Sequence, residues 1–339
     1  MPTSHVQYNY QARRDSLKQI LILVLVSMFC GCGHAQDPGI VKSLWRATIK
    51  VVDEAGDPIE GAKVTIGYHV TPFEAQTVRM AKATGLTDRA GVFRAAEQSQ
   101  SIDLEVRAEK TGFYPTFQRH ELGVGFDPEK QNPHLTLILK KVGEPIPMYA
   151  RRLQIQIPEV GKPIGFDLLQ ADWVTPHGTG THTDLMFQVN RRWESRNDFE
   201  YVLKVSATTP TDGLMEFPVR LDQGSELRMP GTVPQGAFKA EVVKVLSRTP
   251  GLGWKQDSIP EQNYYFRIRS KLDDTGGIKS ALYGKVYGDF VIDPINSKTS
   301  FILFTYYINP EPNSRNVEFD PSKNLARKSK APDEDVRKP

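Results

Sequence analysis

The sequence predicts an all-β protein made of two β-sandwich domains. Apolar and polar residues alternate with period two along several short segments, such as Phe199 to Val205 and Tyr264 to Ile268. Such alternation is the pattern of a strand that buries one face. Clusters of Pro, Gly, Asp and Asn separate these segments, and no window has a convincing long helical period. Many short strands between such breakers indicate a sandwich or a jelly-roll-like barrel.

Residues 1–35 are predicted to be an export signal. A basic stretch around Arg13-Arg14 precedes an apolar core from Ile20 to Phe29. This core of about ten residues is too short to span a bilayer, which requires about 20. The small residue Ala35 suits cleavage before Gln36. The chain is therefore expected to be periplasmic, attached to the cell envelope or secreted.

An alternative end to this signal is Cys32. The segment Gly31-Cys32-Gly33 is similar to the end of a lipoprotein signal, although Phe29 stands where Leu is usual. Acylation of Cys32 would anchor the protein to a membrane, so membrane attachment depends on this residue. Both cysteines, Cys30 and Cys32, lie in this segment. The rest of the chain therefore has no disulfide, cysteine-ligated metal or cysteine nucleophile.

The charge of the chain gives no reason to expect nucleic acid as a partner. Lys and Arg number 43 against 40 Asp and Glu, for a net charge of +3. Without residues 1–35 the net charge falls to +1. A nearly neutral protein has no general electrostatic attraction to nucleic acid or to an anionic membrane.

The first predicted domain covers residues 44–142. An alternating strand, Trp45 to Val52, enters the turn Asp53 to Ile59, and a second strand follows Gly61. Further strand and turn signals are the segments Thr87 to Phe93, Val106 to Pro115 and His134 to Val142. This series resembles the carboxypeptidase regulatory-like, transthyretin-related β-sandwich. The resemblance implies about seven strands appended to something exported, and it supplies no catalytic residues.

A linker of residues 143–147, with two prolines, leads to a second, larger sandwich predicted for residues 148–319. This domain is expected to be jelly-roll-like, with the apolar run Phe301 to Ile308 as a central strand. It resembles exported bacterial proteins to which no activity is attached. The tail, residues 323–339, lacks aromatic residues and is rich in mixed charge, which predicts disorder.

One loop in the second domain has residues that bind metals. His177, His182 and Asp184 lie in a Gly- and Thr-rich segment, and two imidazoles with a carboxylate suit zinc or another divalent ion. Their spacing matches no helical pair, and a fourth ligand is missing. A polar loop without metal explains the segment equally well. The acidic turns at Asp53 and Asp273 could similarly bind calcium or remain solvated.

Three tryptophans are candidates for stacking on sugar rings: Trp173, Trp193 and Trp254. Core packing is the alternative for each, because most aromatic residues of a sandwich pack inside it. The chain has no nucleophile elbow, phosphate loop or His-Glu-x-x-His motif. Paired carboxylates for glycoside hydrolysis stay open, since their spacing in a sequence is arbitrary.

Together these observations predict an exported, non-catalytic protein without a cofactor. It would bind an envelope protein or a glycan, or act structurally. The alternative is a carbohydrate-active or other hydrolase with its site in the second domain.

Overall fold

The computed structural model describes residues 43–70, 79–99, 103–121, 132–220, 224–294, 300–326 and 336–339. The predicted export signal and Cys32 lie outside these residues. In the described ranges the chain is almost entirely β-structure, which confirms the predicted all-β class. Residues 42–339 form one compact unit.

The first nine strands belong to the N-terminal sandwich, which takes up residues 43–141. They are β1 (Ser43–Val52), β2 (Lys63–Val70), β3 (Arg79–Leu86), β4 (Val92–Ser99), β5 (Asp103–Glu109), β6 (Phe113–Tyr114), β7 (Thr116–Glu121), β8 (His134–Ile138) and β9 (Lys140–Lys141).

The twelve remaining strands of the described ranges follow the linker. They are β10 (Tyr149–Gln156), β11 (Ile164–Asp167), β12 (Asp172–Trp173), β13 (Leu185–Ser195), β14 (Asp198–Ser206), β15 (Gly213–Glu216), β16 (Gly224–Ser225), β17 (Glu241–Thr249), β18 (Gly253–Gln256), β19 (Tyr264–Leu272), β20 (Ile278–Pro294) and β21 (Ser300–Ile308). A short 3₁₀ helix, Pro321–Lys323, comes last.

The N-terminal sandwich consists of two main sheets. One has the order β4-β1-β8, and the other has the order β16-β7-β5-β2-β3. Apolar residues from both sheets, among them Ile49, Val106 and Leu137, pack into one buried core. The alternation in β1 arises because Ala47, Ile49 and Val51 all face this core.

The C-terminal sandwich is larger. A six-stranded sheet, β12-β11-β13-β14-β17-β18, faces a five-stranded sheet, β10-β21-β20-β19-β15. Aromatic and aliphatic side chains from both sheets form the inner core between them, including Phe187, Tyr264 and Phe304. Hairpins join several neighbouring strands, among them β13 with β14, β19 with β20 and β20 with β21.

The five-stranded sheet is buried on both faces. Its second face carries the outer core, in which Ala150, Tyr265 and Tyr307 pack against loop residues such as Met229 and Phe319. A strand covered on both sides has no need of alternation. This explains the continuous apolar run of β21, which lies inside the sheet as predicted.

A buried carboxylate connects the two sandwiches. Glu318 Oε1 accepts hydrogen bonds from the Tyr114 hydroxyl at 2.6 Å and from the Gly143 amide at 2.9 Å. Its Oε2 accepts from the Glu144 amide at 3.1 Å. A Cβ on Gly143 would lie 2.5 Å from Glu318 Oε2, so a larger residue here would require the carboxylate to shift. The linker is thus fixed at both of its first residues.

The connection also includes the sheets themselves. The short strand β16 pairs with β7, so a strand from the C-terminal part extends a sheet of the N-terminal sandwich. Lys140 donates to the carbonyl of Arg228 at 3.1 Å. The two cores are separate, yet residues on both sides of the linker share hydrogen bonds and one sheet.

The described parts of the tail contact the C-terminal sandwich. Asn324 donates to the Ala150 carbonyl at 2.9 Å and accepts from its amide at 3.1 Å. Val336 is buried in the outer core. Residues 327–335 of the tail lie outside the described ranges.

Candidate functional site

The predicted metal loop leads into a buried ion cluster. Arg269, on β19, contacts two carboxylates of the opposite sheet. Its Nε lies 2.6 Å from Asp184 Oδ1, and its guanidinium lies 3.0 Å from Asp167 Oδ1. Both carboxylates are buried, with exposed fractions of 1% for Asp167 and 2% for Asp184. The cluster therefore ties the two sheets together at this end of the sandwich.

A bulge in β19 directs Arg269 towards this cluster. In regular alternation Arg269 would face away from the inner core, because Ile268 faces into it. The pairing of β19 with β20 shifts after Ile268, and Arg269 has a left-handed φ of 55°. This conformation is unfavourable for a residue with a side chain. The contacts of the guanidinium with two carboxylates offset its cost.

The two carboxyl groups differ in their pKa. For Asp184, burial raises the pKa and outweighs the lowering by the Arg269 guanidinium and the Leu168 amide. For Asp167, burial also acts to raise the pKa. Backbone amides that donate to the Asp167 carboxylate, such as those of Thr181 and His182, outweigh this effect. They hold the pKa of Asp167 below its usual range.

The structure does not bring the three metal candidates together as ligands. The Asp184 carboxylate accepts hydrogen bonds from Arg269, while His177 is exposed. The His182 ring is 62% exposed, and its Nδ1 lies 3.9 Å from Asp167 Oδ2. In the described ranges no three His, Cys, Asp or Glu residues are grouped to bind a metal.

Loop geometry accounts for the Gly- and Thr-rich composition of this segment. A Cβ on Gly180 would lie 2.9 Å from the carbonyl oxygens of Asp172 and Trp173. The Thr179 amide and hydroxyl both donate to Asp172 Oδ2, at 2.8 and 2.7 Å. The composition therefore serves a tightly folded loop. The turns at Asp53 and Asp273 likewise use their carboxylates to accept amides of the turn.

Asp167 and Asp184 form a pair of neighbouring carboxylates, as the hydrolase alternative requires. Each carboxylate already accepts at least three hydrogen bonds, from Arg269 and from backbone amides. A general acid or base needs an oxygen that can reach a proton of the substrate. This pair is saturated by donors of the protein itself and does not meet that need.

Trp173 belongs to the inner core. It is 7% exposed and makes edge contacts with Phe166 and Phe187 at 5.1 and 5.8 Å between ring centres. Its indole N–H donates to the Gln156 carbonyl at 3.1 Å. Trp173 is therefore a core residue, as the alternative interpretation of the sequence had it. It has no free face for a ligand.

The other two tryptophans lie in one row across the six-stranded sheet. Cross-strand pairing places Trp193 opposite Phe199, Phe199 opposite Arg248, and Arg248 opposite Trp254. We call these four residues the tryptophan ladder. Since residues directly opposite each other share a face, all four side chains lie on the same side of the sheet.

Exposure is greatest at the end of the tryptophan ladder that lies on the sheet edge. Trp193 stacks on Phe199 with ring centres 5.2 Å apart, so one of its faces is covered. Trp254, on the edge strand β18, is 56% exposed. The Arg248 guanidinium lies 5.4 Å from its ring centre. Leu252, in the turn before β18, is 84% exposed. The outer end of the ladder is thus an aromatic surface beside a cation.

The structure also contains a buried lysine that sequence reasoning missed. Lys285, on β20, is 0% exposed. Its Nζ donates to the Tyr287 hydroxyl at 3.2 Å and lies 4.6 and 4.8 Å from the ring centres of Tyr287 and Tyr307. Burial lowers the pKa of Lys285 to about 7, against the attraction of Glu318. The sequence signal for this burial was the position of Lys285 in the period-two pattern. Lys285 falls on the same strand face as Tyr283 and Tyr287.

Comparisons with known proteins give little. No protein-family model and no curated protein matches the chain. The similar solved structures include a protein of unknown function from Bacteroides fragilis NCTC 9343, provisionally described as membrane-associated. It has 12% sequence identity and a TM-score of 0.19, over 80% of this chain and 99% of that chain. At this TM-score the similarity supports no statement about shared fold or function. Where the structure describes the chain, no helix has the length and apolar character to cross a membrane.

Replacing Arg269 with Met should strongly destabilise the protein. Two buried carboxylates would lose their cation, and breaking a buried pair in this way costs about 3–5 kcal/mol. Urea denaturation would measure the loss. Arg192→Met is the matched control, because Arg192 pairs with Asp198 at the surface. That change should cost no more than about 1 kcal/mol. Equal losses of stability in the two variants would contradict the conclusion that Arg269 ties the two sheets together.

Lys285 should make stability depend on pH in a defined window. Below pH 7 the lysine is protonated in both the folded and unfolded states, and its buried charge is unfavourable. Between about pH 7 and 10.4 the folded protein has lost this proton while the unfolded chain keeps it, so stability rises with pH. Relative to Lys285→Met, wild-type stability should rise by about 2 kcal/mol between pH 7 and 9.

Urea denaturation of both proteins across this range would test the slope. Lys279→Met is the control, since Lys279 is exposed on the same strand. The Lys279→Met protein should keep the wild-type slope. Identical pH profiles for wild type and Lys285→Met would show that Lys285 does not change its protonation on folding.

Proposed function

We propose that this chain is an exported, non-catalytic binding protein whose tryptophan ladder contacts a glycan. The observation that carries the proposal is the exposure of Trp254 at a sheet edge. An indole face can stack on the C–H groups of a sugar ring, which removes apolar surface of both from water. The neighbouring Arg248 supplies guanidinium donors for sugar hydroxyls.

The arrangement of the ladder suits a binding surface. Phe199 is buried, and it contacts Trp254 at 5.3 Å between ring centres with the rings nearly perpendicular. Trp254 is therefore supported from inside the sandwich, so a ligand would find its ring already oriented. Preorganisation of this kind lowers the entropic cost of binding. β18 also leaves an open sheet edge, and a protein partner that adds a strand there is the competing outcome.

Replacing Trp254 with Ala should remove most glycan binding. Truncation of a central aromatic contact costs about 2 kcal/mol or more, which is a loss of about thirtyfold in affinity. A glycan array with the wild-type protein would identify the ligand, and calorimetry would compare the variants. Leu272→Ala is the control, because Leu272 is a similarly exposed apolar residue on the other sheet. Unchanged affinity in the Trp254 variant, or binding to no glycan at all, would reject the proposal.

Export is the second part of the proposal, and it rests on residues 1–35 and Cys32. Expression in a bacterial host should yield a chain whose measured mass begins at Gln36, or one with acyl chains on Cys32 that the Cys32→Ser variant lacks. The first result would mean a periplasmic or secreted protein, and the second a lipid-anchored one. A full-length mass in the cytoplasmic fraction would contradict export.

A further inference from the structure

Residues 336–339 lie against the outer face of the five-stranded sheet, directly beside Lys285. Val336 is 9% exposed and packs into the outer core. The Tyr307 hydroxyl donates to the main-chain oxygen of Lys338 at 3.2 Å. The Tyr287 hydroxyl donates to the main-chain oxygen of Pro339. We call residues 336–339 the strap.

The contacts of the strap are of a kind that many peptides could make. Val336 and Pro339 are buried, whereas Arg337 and Lys338 between them are exposed. The sheet recognises the strap through two apolar side chains and two main-chain oxygens. In the described ranges no backbone–backbone hydrogen bond joins the strap to a strand. Release of the strap would therefore break no sheet ladder.

The two tyrosines that hold the strap also enclose Lys285. Their ring centres are 4.8 Å apart, and the lysine Nζ contacts both rings. In the described part of the chain no carboxylate lies within ion-pair distance of this Nζ. Lys285 thus contacts the same two tyrosines whose hydroxyls hold the strap. Its reactivity is therefore expected to report whether the strap is bound.

We propose that Tyr287 and Tyr307 form a binding site for an extended peptide with an aliphatic residue followed, three positions later, by proline. The strap, Val336-Arg337-Lys338-Pro339, is its intramolecular occupant. The aliphatic residue fills the outer core, the two hydroxyls take main-chain oxygens, and the two intervening side chains face solvent. This is recognition of backbone and spacing, so a peptide from another chain with the same spacing competes with the strap.

The test uses the full chain and the reactivity of Lys285. Wild-type protein and a Val336→Asp variant are treated with an amine-acetylating reagent at pH 7.5, and acetylation of each lysine is measured by peptide mass spectrometry. Lys279, which is exposed, serves as the internal standard. Wild-type Lys285 should stay protected. In the variant, the buried charge at position 336 should release the strap and raise acetylation of Lys285 about tenfold or more.

A synthetic peptide of residues 327–339 is then added to the Val336→Asp protein. It should restore the protection of Lys285, whereas the same peptide with Asp at position 336 should not. Arg337→Ser in the full chain is the matched control, and it should leave Lys285 protected because Arg337 is exposed. Val336→Ala supplies a milder variant if Val336→Asp does not fold, as judged by circular dichroism.

Three outcomes would overturn the proposal. Wild-type Lys285 could react as fast as Lys279, which would mean that the strap does not seal it. Lys285 could stay protected in folded variants of Val336, which would mean that the strap is not its cover. The variant could become reactive without rescue by the peptide, which would mean that the tyrosines do not bind a peptide in trans. Rescue by the wild-type peptide alone supports the site.

Discussion

The structure from residue 43 onward depends on one buried carboxylate, that of Glu318. A buried carboxylate is tolerated only where donors surround it. Here the donors come from Tyr114 in the N-terminal sandwich and from the first two residues of the linker. Burial and the bond to Glu318 raise the pKa of Tyr114 well above its usual value, so its hydroxyl keeps the proton that it donates. The buried carboxylate of the C-terminal part therefore obtains its hydrogen-bond donors from the N-terminal sandwich and the linker. This requirement holds the two sandwiches together.

The same carboxylate influences the interior of the C-terminal sandwich. Its negative charge favours the protonated form of Lys285, while burial and the charge of Lys140 oppose it. The pKa of Lys285 is thus influenced by charged groups from both sides of the linker. The hydroxyls of Tyr287 and Tyr307 connect this lysine to the main chain of the strap. The buried amine and the strap thus share two tyrosines, and Glu318 at the interface acts on the amine through its charge.

Strand class and core phase could be predicted from sequence because burial of one face imposes period two. β1 and β14 follow this rule, and β21 breaks it at its last three residues, Tyr306 to Ile308, which are all buried. The residues that cover the second face of that sheet, such as Met229 and Val336, lie in segments with no periodic apolar pattern. Their position could not be predicted. The burial of Lys285 had one signal in the sequence, its place on the same strand face as Tyr283 and Tyr287.

The candidate residues show the same division. Three tryptophans look alike in the sequence, and only the strand register distinguishes the buried Trp173 from the exposed Trp254. The metal candidates were chosen by residue type within one loop. The partner of Asp184, Arg269, lies 85 residues further along the chain and faces it because of a bulge in another sheet. Composition within a loop cannot reveal a cation that arrives from the opposite side of a sandwich.

The pairing of β16 with β7 has a consequence for the order in which the protein is completed. Gly224 is opposite Phe117, and more than a hundred residues separate them. A chain that emerges from its N-terminus can close the first core before β16 exists. Until then β7 presents an open strand edge, which is a template for pairing with another chain. The C-terminal part thus acts on its own N-terminal sandwich as an intramolecular guard against aggregation, and synthesis or translocation that stalls between these strands leaves the edge unprotected.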